Sequence, residues 1–240
     1  MLDHIHPENI LFIDIETVPQ YADFSQVPEN FQALWEHKSA YFRNDDQTAA
    51  DVYQRAGIYA EFGRIICIST GYLIGSGAER RYRVKSFFQS DEKSLLAAFT
   101  RMLEQFTARP GRCLCAHNGQ EFDYPYIARR SLINGLQLPS ILDIAGMKPW
   151  EVRDKLIDTL QLWKFGDYKN YTSLNLLCAA FHIPTPKDDI DGSEVARVFY
   201  QENNPERIAR YCEKDTLAAA NLFLSFRGEP YIPFEHMQIA

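Results

Sequence analysis

The spacing of apolar and polar positions predicts four strands in the first half of the chain. The first is an apolar run that ends in two carboxylates, and the second is a buried apolar run. A glycine-containing turn then leads to a strand of alternating polarity, and a short apolar segment follows a Pro-Gly break. The predicted strands cover residues 10–16, 64–74, 81–88 and 113–116, with the turn at Gly75 and Gly77.

Helical periodicity dominates the rest of the chain. Residues 91–107 place an apolar stripe on one face, as an amphipathic helix requires. The pair Asn204-Pro205 is a suitable N-cap and first residue for a long final helix. Further helices are predicted at residues 122–134, 172–182, 193–202 and 205–226, while residues 156–163 carry both strand and helix signals.

The order of these elements predicts an α/β protein in which helices cover a mixed sheet. Residues 20–62 interrupt this order as an insertion with two helical segments, in which many aromatic residues are mixed with charges. Amphipathic packing onto the domain accounts for these aromatic residues more simply than stacking on single-stranded bases. We therefore expect residues 1–240 to form a single domain with a helical insertion at about residues 20–62.

Composition and charge limit the functions to consider. The chain has 240 residues, of which 46% are hydrophobic, and a formal net charge of −7. This charge disfavours a protein that coats a duplex, but it disfavours a nuclease less, because metal ions can supply positive charge. The five cysteines lack zinc-type pairing, and no apolar run is long enough to span a bilayer. With no signal-peptide pattern, we expect a cytoplasmic protein that does not enter a membrane.

Carboxylates at three places along the chain carry the candidate chemistry. Asp14 and Glu16 lie two residues apart, so both face the same side of an extended strand. Asp123 follows a predicted strand and an Asn-Gly turn. Tyr211 and Asp215 lie four residues apart on one face of the last helix. Hydrolysis of a phosphodiester by two metal ions requires such a set of carboxylates.

Each of these features alone also has an ordinary structural interpretation. Asp14 and Glu16 suit a strand end exposed to solvent, and Asp123 suits a helix N-cap. Tyr211 suits core packing, and Asp215 suits a solvated helix position. The ordered combination DxE, NGxxFDxP and YxxxD is much less probable by chance, and it favours a catalytic site.

These motifs resemble those of the 3′–5′ exonuclease superfamily named after its Asp-Glu-Asp-Asp residues, in the branch that also carries a tyrosine. The resemblance is greatest to the exonuclease domain of family B DNA polymerases, here in standalone form. It extends over most of the chain, through residues 158–160 and 183–194, and is weakest over residues 20–62. It implies a ribonuclease-H-like fold: a five-stranded mixed sheet with helices on both faces.

The resemblance also implies roles for individual residues. Asp14 would bridge two Mg²⁺ or Mn²⁺ ions, Glu16 and Asp215 would complete the site of the nucleophilic water, and Asp123 would hold the second ion. Hard oxygen ligands without histidine suit these ions better than zinc. Tyr211 would orient the attacking water rather than deprotonate it, because a phenol with a pKa near 10 stays protonated at neutral pH.

Three further residues are expected to bind substrate: Thr17, Asn118 and Phe122. Core packing remains an equal alternative for Phe122. Lys187 is interpreted as part of a solvated loop, with contact to a phosphate as the alternative. Asp158 is interpreted as an N-cap or hydrogen-bond anchor, with contact to substrate as the alternative.

The sequence thus predicts a metal-dependent 3′–5′ exonuclease that acts on the 3′ end of a single-stranded nucleic acid, with DNA preferred over RNA. One alternative is a 3′–5′ exoribonuclease or oligoribonuclease of the same mechanism. Another is a catalytically weak module that binds a nucleic-acid end or a protein. Clustered carboxylates without metal would repel one another, which disfavours this last alternative. Oligomeric state and protein partners are not predicted.

Overall fold

A computed structural model describes residues 2, 4–89, 91–167, 171–184 and 190–240. The strands β1 to β6 of this part cover Ile10–Pro19, Gly63–Ile74, Arg81–Phe87, Cys113–Ala116, Leu156–Asp158 and Met237–Ile239. The α-helices α1 to α8 cover Glu29–Ser39, Glu92–Thr107, Asp123–Ile133, Pro149–Val152, Thr159–Lys164, Leu174–Ala180, Val195–Arg197 and Pro205–Phe226. Val198–Glu202 continues α7 as a π-helical turn.

The strands form one mixed sheet in the order β5-β4-β1-β2-β3-β6. The pairs β1–β2 and β2–β3 are antiparallel, whereas β1–β4, β4–β5 and β3–β6 are parallel. The described sheet therefore has six strands, and the prediction of five was one strand short. The sixth, β6, has only three residues and depends on pairing with β3, so its local sequence carries no sufficient signal.

The alternation of side chains along β1 divides the core into two layers. Leu11 and Ile13 belong to a cluster with α2 and α3 on one face. Ile10 and Phe12 belong to a cluster with Leu224 and other residues of α8 on the opposite face. Asp14 and Glu16 continue the alternation of Ile10 and Phe12, so these carboxylates lie on the face of the sheet that α8 covers.

The segment inserted after β1 has its own small core around Trp35. This side chain is fully buried, and its indole N–H donates to the carbonyl oxygen of Ala49 at 2.9 Å. Tyr53, Phe42 and Tyr59 contact the same ring edge-on. Packing therefore accounts for most aromatic residues of this segment, as predicted, but they pack on one another within the segment, whereas packing onto the rest of the domain was expected. The helical pieces of the segment are α1 and the 3₁₀ segments Phe24–Gln26 and Tyr53–Ile58.

Several element boundaries differ from the prediction. β1 continues to Pro19, so Asp14 and Glu16 lie inside the strand rather than at its C-terminal end. Pairing with β2 resumes beyond an irregularity between Glu16 and Thr17, which extends the strand. The ambiguous residues 156–163 contain both β5 and the start of α5. The single helix predicted at residues 193–202 is the short α7 and its π-helical turn.

None of the helices in the described part of the chain combines the length and the apolar character that crossing a bilayer requires.

Candidate active site

The middle of β1 carries the first two carboxylates. Asp14 pairs with Ser69 and Glu16 with Cys67 on β2, just before the register shift. Asp14 is half-buried, and Glu16 is only 9% exposed. A bulge at this point increases the local twist of the strand and often re-aims a side chain beside a functional site. Both carboxylates thus project from an otherwise apolar strand, close to the position at which its pairing with β2 changes register.

Helix α8 crosses directly over these carboxylates. The thiol of Cys212 lies 3.1 Å from Oδ2 of Asp14 and 3.4 Å from the carbonyl oxygen of the same residue. One ligand atom each from Asp14, Glu16 and Cys212 falls within 4.8 Å of the others. Cys212 lies between Tyr211 and Asp215 in the sequence, so the contact brings this turn of α8 onto the strand.

A polar contact on the other flank of α8 fixes the rotation of the helix. The hydroxyl of Ser86 on β3 donates to the buried carboxylate of Glu213 at 2.7 Å and lies 2.8 Å from the hydroxyl of Ser69. Because Glu213 is held on this flank, Tyr211 and Asp215 are kept on the other. Glu213 was not among the predicted site residues.

Asp123 joins the group from the opposite layer. It is the first residue of α3, and its Oδ1 accepts a hydrogen bond from the main-chain nitrogen of Ile15 at 3.1 Å. The parallel pairing of β1 with β4 ends at Phe12, which leaves the amide of Ile15 available to this carboxylate. Asp123 is not an N-cap, since Phe122 occupies that position.

A tight turn sets the start of α3. Asn118 has a left-handed backbone with φ of 63°, and its carbonyl oxygen accepts from the nitrogen of Phe122. A Cβ at Gly119 would lie 2.5 Å from the Cβ of Ala116, so the turn requires glycine there. The turn therefore determines where Phe122 and Asp123 enter the site.

Asp158 holds this turn and the start of α5. Its carboxylate accepts from the main-chain nitrogens of Asn118 and Gln120 at 2.9 and 3.0 Å. It also caps α5 by accepting from the nitrogen of Leu160 at 2.8 Å. The interpretation of Asp158 as an N-cap and hydrogen-bond anchor is confirmed. Lys187, interpreted as part of a solvated loop with contact to a phosphate as the alternative, lies outside the described part of the chain.

The pKa values of Asp14, Glu16 and Asp123 are all raised. Burial, followed by the charges of Asp123 and Asp215, raises the pKa of Asp14 well above its ordinary value. Burial and the charges of Asp14 and Asp215 do the same to the pKa of Glu16. Burial raises the pKa of Asp123 to about 7. The four carboxylates therefore share one electrostatic environment, in which negative charge is costly without a cation.

Tyr211 faces the same group. Burial is the largest cause that raises the pKa of its phenol, and the charges of Asp215, Glu16 and Asp14 follow in that order. A hydrogen bond to Asp215 acts in the same direction. The phenol therefore stays protonated at neutral pH, and its O–H donates to Asp215. All five residues predicted from the three motifs thus converge on one site.

The three residues predicted to bind substrate lie around this group. Thr17 and Phe122 line a cleft beside Glu16, and both are half-buried, so Phe122 is only partly used in packing. Asn118 is also half-buried, yet its side-chain oxygen is buried and has no hydrogen-bond partner among the described residues. A buried polar atom without a partner is costly, which marks this oxygen as available to a ligand.

Two residues near the carboxylates were missed in the sequence. Cys212 lies inside the YxxxD motif, and its contact with Asp14 becomes visible only once α8 is docked on β1. Tyr171 precedes α6 and is 62% exposed, and the charges of Asp123 and Asp158 add to partial burial in raising its pKa. Its ring meets His117 edge-on at 6.2 Å. No spacing in the sequence links Tyr171 to the motifs.

The donor set fits a hard divalent cation. Carboxylates of Asp14 and Glu16 lie within ligand range of one another, and their raised pKa values show that burial and neighbouring carboxylates disfavour their charged forms. Carboxylate and carbonyl oxygens suit Mg²⁺ and Mn²⁺. Cys212 adds one soft atom to this otherwise hard set.

Comparison with solved structures supports the fold. The chain is similar to the family B DNA polymerase from the hyperthermophilic archaeon Pyrobaculum calidifontis, with a TM-score of 0.55 and 14% sequence identity. The similarity covers 90% of this chain and 24% of the polymerase chain. The chain thus spans about a quarter of the length of that polymerase. At this identity the similarity concerns the fold, which is the ribonuclease-H-like fold that the motifs predicted.

Comparison with protein families identifies the chain. Residues 58–229 match a family described as predicted 3′–5′ exonucleases related to the exonuclease domain of PolB. The match covers more than half of the chain and contains Asp123, Tyr211 and Asp215, but it begins after Asp14 and Glu16. Exonuclease activity implies divalent metal ions and a nucleic acid substrate. The chain belongs to this family of predicted 3′–5′ exonucleases.

Proposed function

We propose that the protein removes nucleotides from the 3′ end of single-stranded DNA by metal-dependent hydrolysis of the phosphodiester bond. One observation carries the proposal. Asp14 and Glu16 on β1 meet Tyr211 and Asp215 on α8, while Asp123 bonds to the amide of Ile15 between the two strand carboxylates. Membership in the exonuclease family supports the direction of cleavage.

In this proposal, two Mg²⁺ or Mn²⁺ ions are held by the carboxylates. Asp14 would contact both ions, Glu16 and Asp215 would complete one site, and Asp123 would serve the other. When bound, such ions stabilise developing negative charge and lower the pKa of a bound water. The raised pKa values of Asp14, Glu16 and Asp123 support this assignment, because divalent cations would relieve the repulsion that causes part of them.

Tyr211 is proposed to hold the attacking water by a hydrogen bond. Its phenol belongs to the same electrostatic group as Glu16 and Asp215, and its raised pKa keeps the proton on the oxygen. A protonated phenol donates a hydrogen bond but does not accept a proton, so Tyr211 orients the water and is not the general base.

Binding of the terminal nucleotide is assigned to Thr17, Asn118 and Phe122. Phe122 offers a partly exposed ring on which a base or a sugar packs, and stacking of this kind tolerates any base. The unpartnered side-chain oxygen of Asn118 accepts a hydrogen bond from a sugar hydroxyl. Thr17 follows Glu16 immediately and lines the same cleft.

A single assay separates this proposal from its alternatives. Single-stranded DNA and RNA of equal length, labelled at the 5′ end, are incubated with Mg²⁺, Mn²⁺ or EDTA. We expect a ladder of DNA products that shorten from the 3′ end with either metal and intact DNA in EDTA. Faster cleavage of RNA would replace the DNA assignment with an exoribonuclease. Binding of either strand without cleavage would leave a binding module.

A further inference from the structure

A cleft of about 470 Å³ opens beside the carboxylates of β1. One wall is formed by Glu16 and Thr17 of β1 together with Phe122 at the start of α3. The facing wall comes from the 3₁₀ segment Tyr53–Ile58 of the inserted region, which contributes Arg55 and its neighbours to the lining. The insertion thus borders the space into which a substrate beside Glu16 would extend.

One charged residue of each sign lines the described part of this cleft. Among the described residues of the lining, Arg55 carries the only positive charge and Glu16 the only negative charge. Arg55 is exposed and forms no ion pair with a carboxylate in the described part of the chain. A polyanionic strand that approaches a group of carboxylates requires a cation along its path. Arg55 is placed to provide it.

The guanidinium of Arg55 is held in position by an aromatic stack. Its central carbon lies 4.2 Å from the centre of the Phe42 ring. Phe42 stacks on Tyr59 with ring centres 6.2 Å apart and an interplanar angle of 13°. The ammonium of Lys38 lies 4.7 Å from the centre of the Tyr59 ring. Stacking leaves the edge of a guanidinium free to donate hydrogen bonds.

The segment that carries Arg55 is also fixed to the catalytic layers. The phenol of Tyr126 on α3 donates to the carbonyl oxygen of Gly57 at 2.7 Å. A Cβ at Gly57 would lie 3.1 Å from the main chain of Val18 and 3.2 Å from Pro19, so the segment packs closely on β1. The backbone that carries Arg55 is therefore fixed relative to β1, as a substrate-binding segment must be.

We propose that Arg55 binds the phosphodiester backbone of the single strand, close to the terminal nucleotide, and that the Tyr53–Ile58 segment is a wall of the nucleotide site. This inference rests on the proposed function and deepens it. The family match begins at residue 58, so Arg55 lies outside the matched region, in the inserted segment. The planar guanidinium suits a phosphate, because two of its N–H groups can donate to two phosphate oxygens at once.

The test compares Arg55→Gln with Lys38→Gln. Both variants remove a cation from the same aromatic stack, but Lys38 does not line the cleft. Binding of a 5′-fluorescein-labelled strand of eight deoxythymidines is measured by anisotropy in EDTA, over a range of NaCl concentrations. We expect Arg55→Gln to weaken binding roughly 10-fold and to reduce the salt slope by about 0.7, the value for one phosphate contact on a single strand. Lys38→Gln should change neither quantity.

Two further measurements control for other effects of the substitution and locate the contact on the strand. Arg55→Lys keeps the positive charge, so its salt slope should equal that of the wild type even if its affinity is lower. Melting curves show whether each variant is folded. Strands with one neutral methylphosphonate at the first, second or third linkage from the 3′ end locate the contact. For one of these modified strands, wild type and Arg55→Gln should bind with equal affinity, because the phosphate charge that Arg55 contacts is already absent.

The outcomes separate the two claims. Equal affinity and equal salt slope for wild type, Arg55→Gln and Lys38→Gln would overturn the inference, while cleavage by the wild type would still support the proposed function. An Arg55-dependent salt slope in a protein that does not cleave with Mn²⁺ would overturn the proposed function and support the phosphate contact. A wild-type protein that neither binds nor cleaves the strand would overturn both.

Discussion

The carboxylate of Asp123 accepts a hydrogen bond from the main-chain nitrogen of Ile15, the residue between Asp14 and Glu16. This bond joins the first residue of α3 to the middle of β1, which belong to different stretches of the chain. It uses Oδ1 of the carboxylate. A single contact thus sets the distance between the carboxylates of the two layers.

Asp123→Asn and Asp123→Ala should differ in stability but not in activity. Both remove the charge, so each should lower cleavage more than 100-fold, on the order of several kcal/mol of transition-state stabilisation. Asparagine retains an acceptor for the amide of Ile15, whereas alanine leaves that amide buried without a partner. We expect the alanine variant to be less stable than the asparagine variant by about 1–3 kcal/mol in urea unfolding. Equal stabilities would contradict the proposed use of this bond.

The pH dependence of stability should report the same carboxylate. Its pKa is raised from 3.8 to about 7 in the folded protein. A raised folded-state pKa gives a stabilisation that is present below the unfolded value and is lost as pH rises through the folded value. In EDTA, wild type should therefore lose melting temperature relative to Asp123→Asn between about pH 4 and pH 7, and the difference should then stay constant. A difference independent of pH would show that Asp123 is not perturbed in this way.

Tyr211→Phe should lower the rate of the chemical step without loss of the fold. The substitution keeps the ring and deletes the hydroxyl that is proposed to hold the water. We expect a single-turnover rate reduced by about 10- to 1000-fold, with unchanged binding of a single strand and only the small loss of melting temperature that follows from deleting the hydrogen bond to Asp215. Tyr72→Phe is the matched control, because Tyr72 is half-buried and lies on β2 beside a separate cavity. A normal rate for Tyr211→Phe would remove the orienting role.

Cys212 should make the site sensitive to soft metal ions. Its thiol lies within 4.8 Å of ligand atoms of Asp14 and Glu16, and soft ions bind thiolate strongly. Cd²⁺ should inhibit Mn²⁺-dependent cleavage, and Cys212→Ser should require at least about tenfold more Cd²⁺ for the same inhibition. Cys113→Ser changes a buried cysteine on β4, in the α8-facing cluster that contains none of the candidate site residues, and should retain wild-type sensitivity. Equal sensitivity of all three proteins would contradict this role of Cys212.

The sequence predicted the residues that carry strong local signals. The last helix begins at Pro205 and ends at Phe226, as predicted, because Asn204 caps it and its apolar stripe is long. Strand β4 also matches its predicted bounds, since its four residues are all buried. Convergence of the three motifs was predicted from the family resemblance, and the structure places all five of their residues together.

The remaining features depend on tertiary contacts that no local pattern encodes. β6 forms by pairing with the edge of β3. β1 extends past Asp14 and Glu16 because β2 continues to pair with it. The approach of Cys212 to Asp14 depends on how α8 is rotated over the sheet. The position of Arg55 beside Glu16 depends on how the insertion packs on β1, and the insertion shows the weakest resemblance.

The most direct test of the metal-dependent site is the single-turnover rate of cleavage at the 3′ end of a single-stranded DNA, measured against Mn²⁺ concentration. For the wild type, the rate should be negligible in EDTA and should rise to a plateau with added Mn²⁺. Asp14→Asn, which keeps the size of the side chain, should stay at least about 100-fold slower at every concentration. Cleavage that persists in EDTA, or an Asp14→Asn variant that reaches the wild-type plateau, would contradict catalysis by metal ions at these carboxylates.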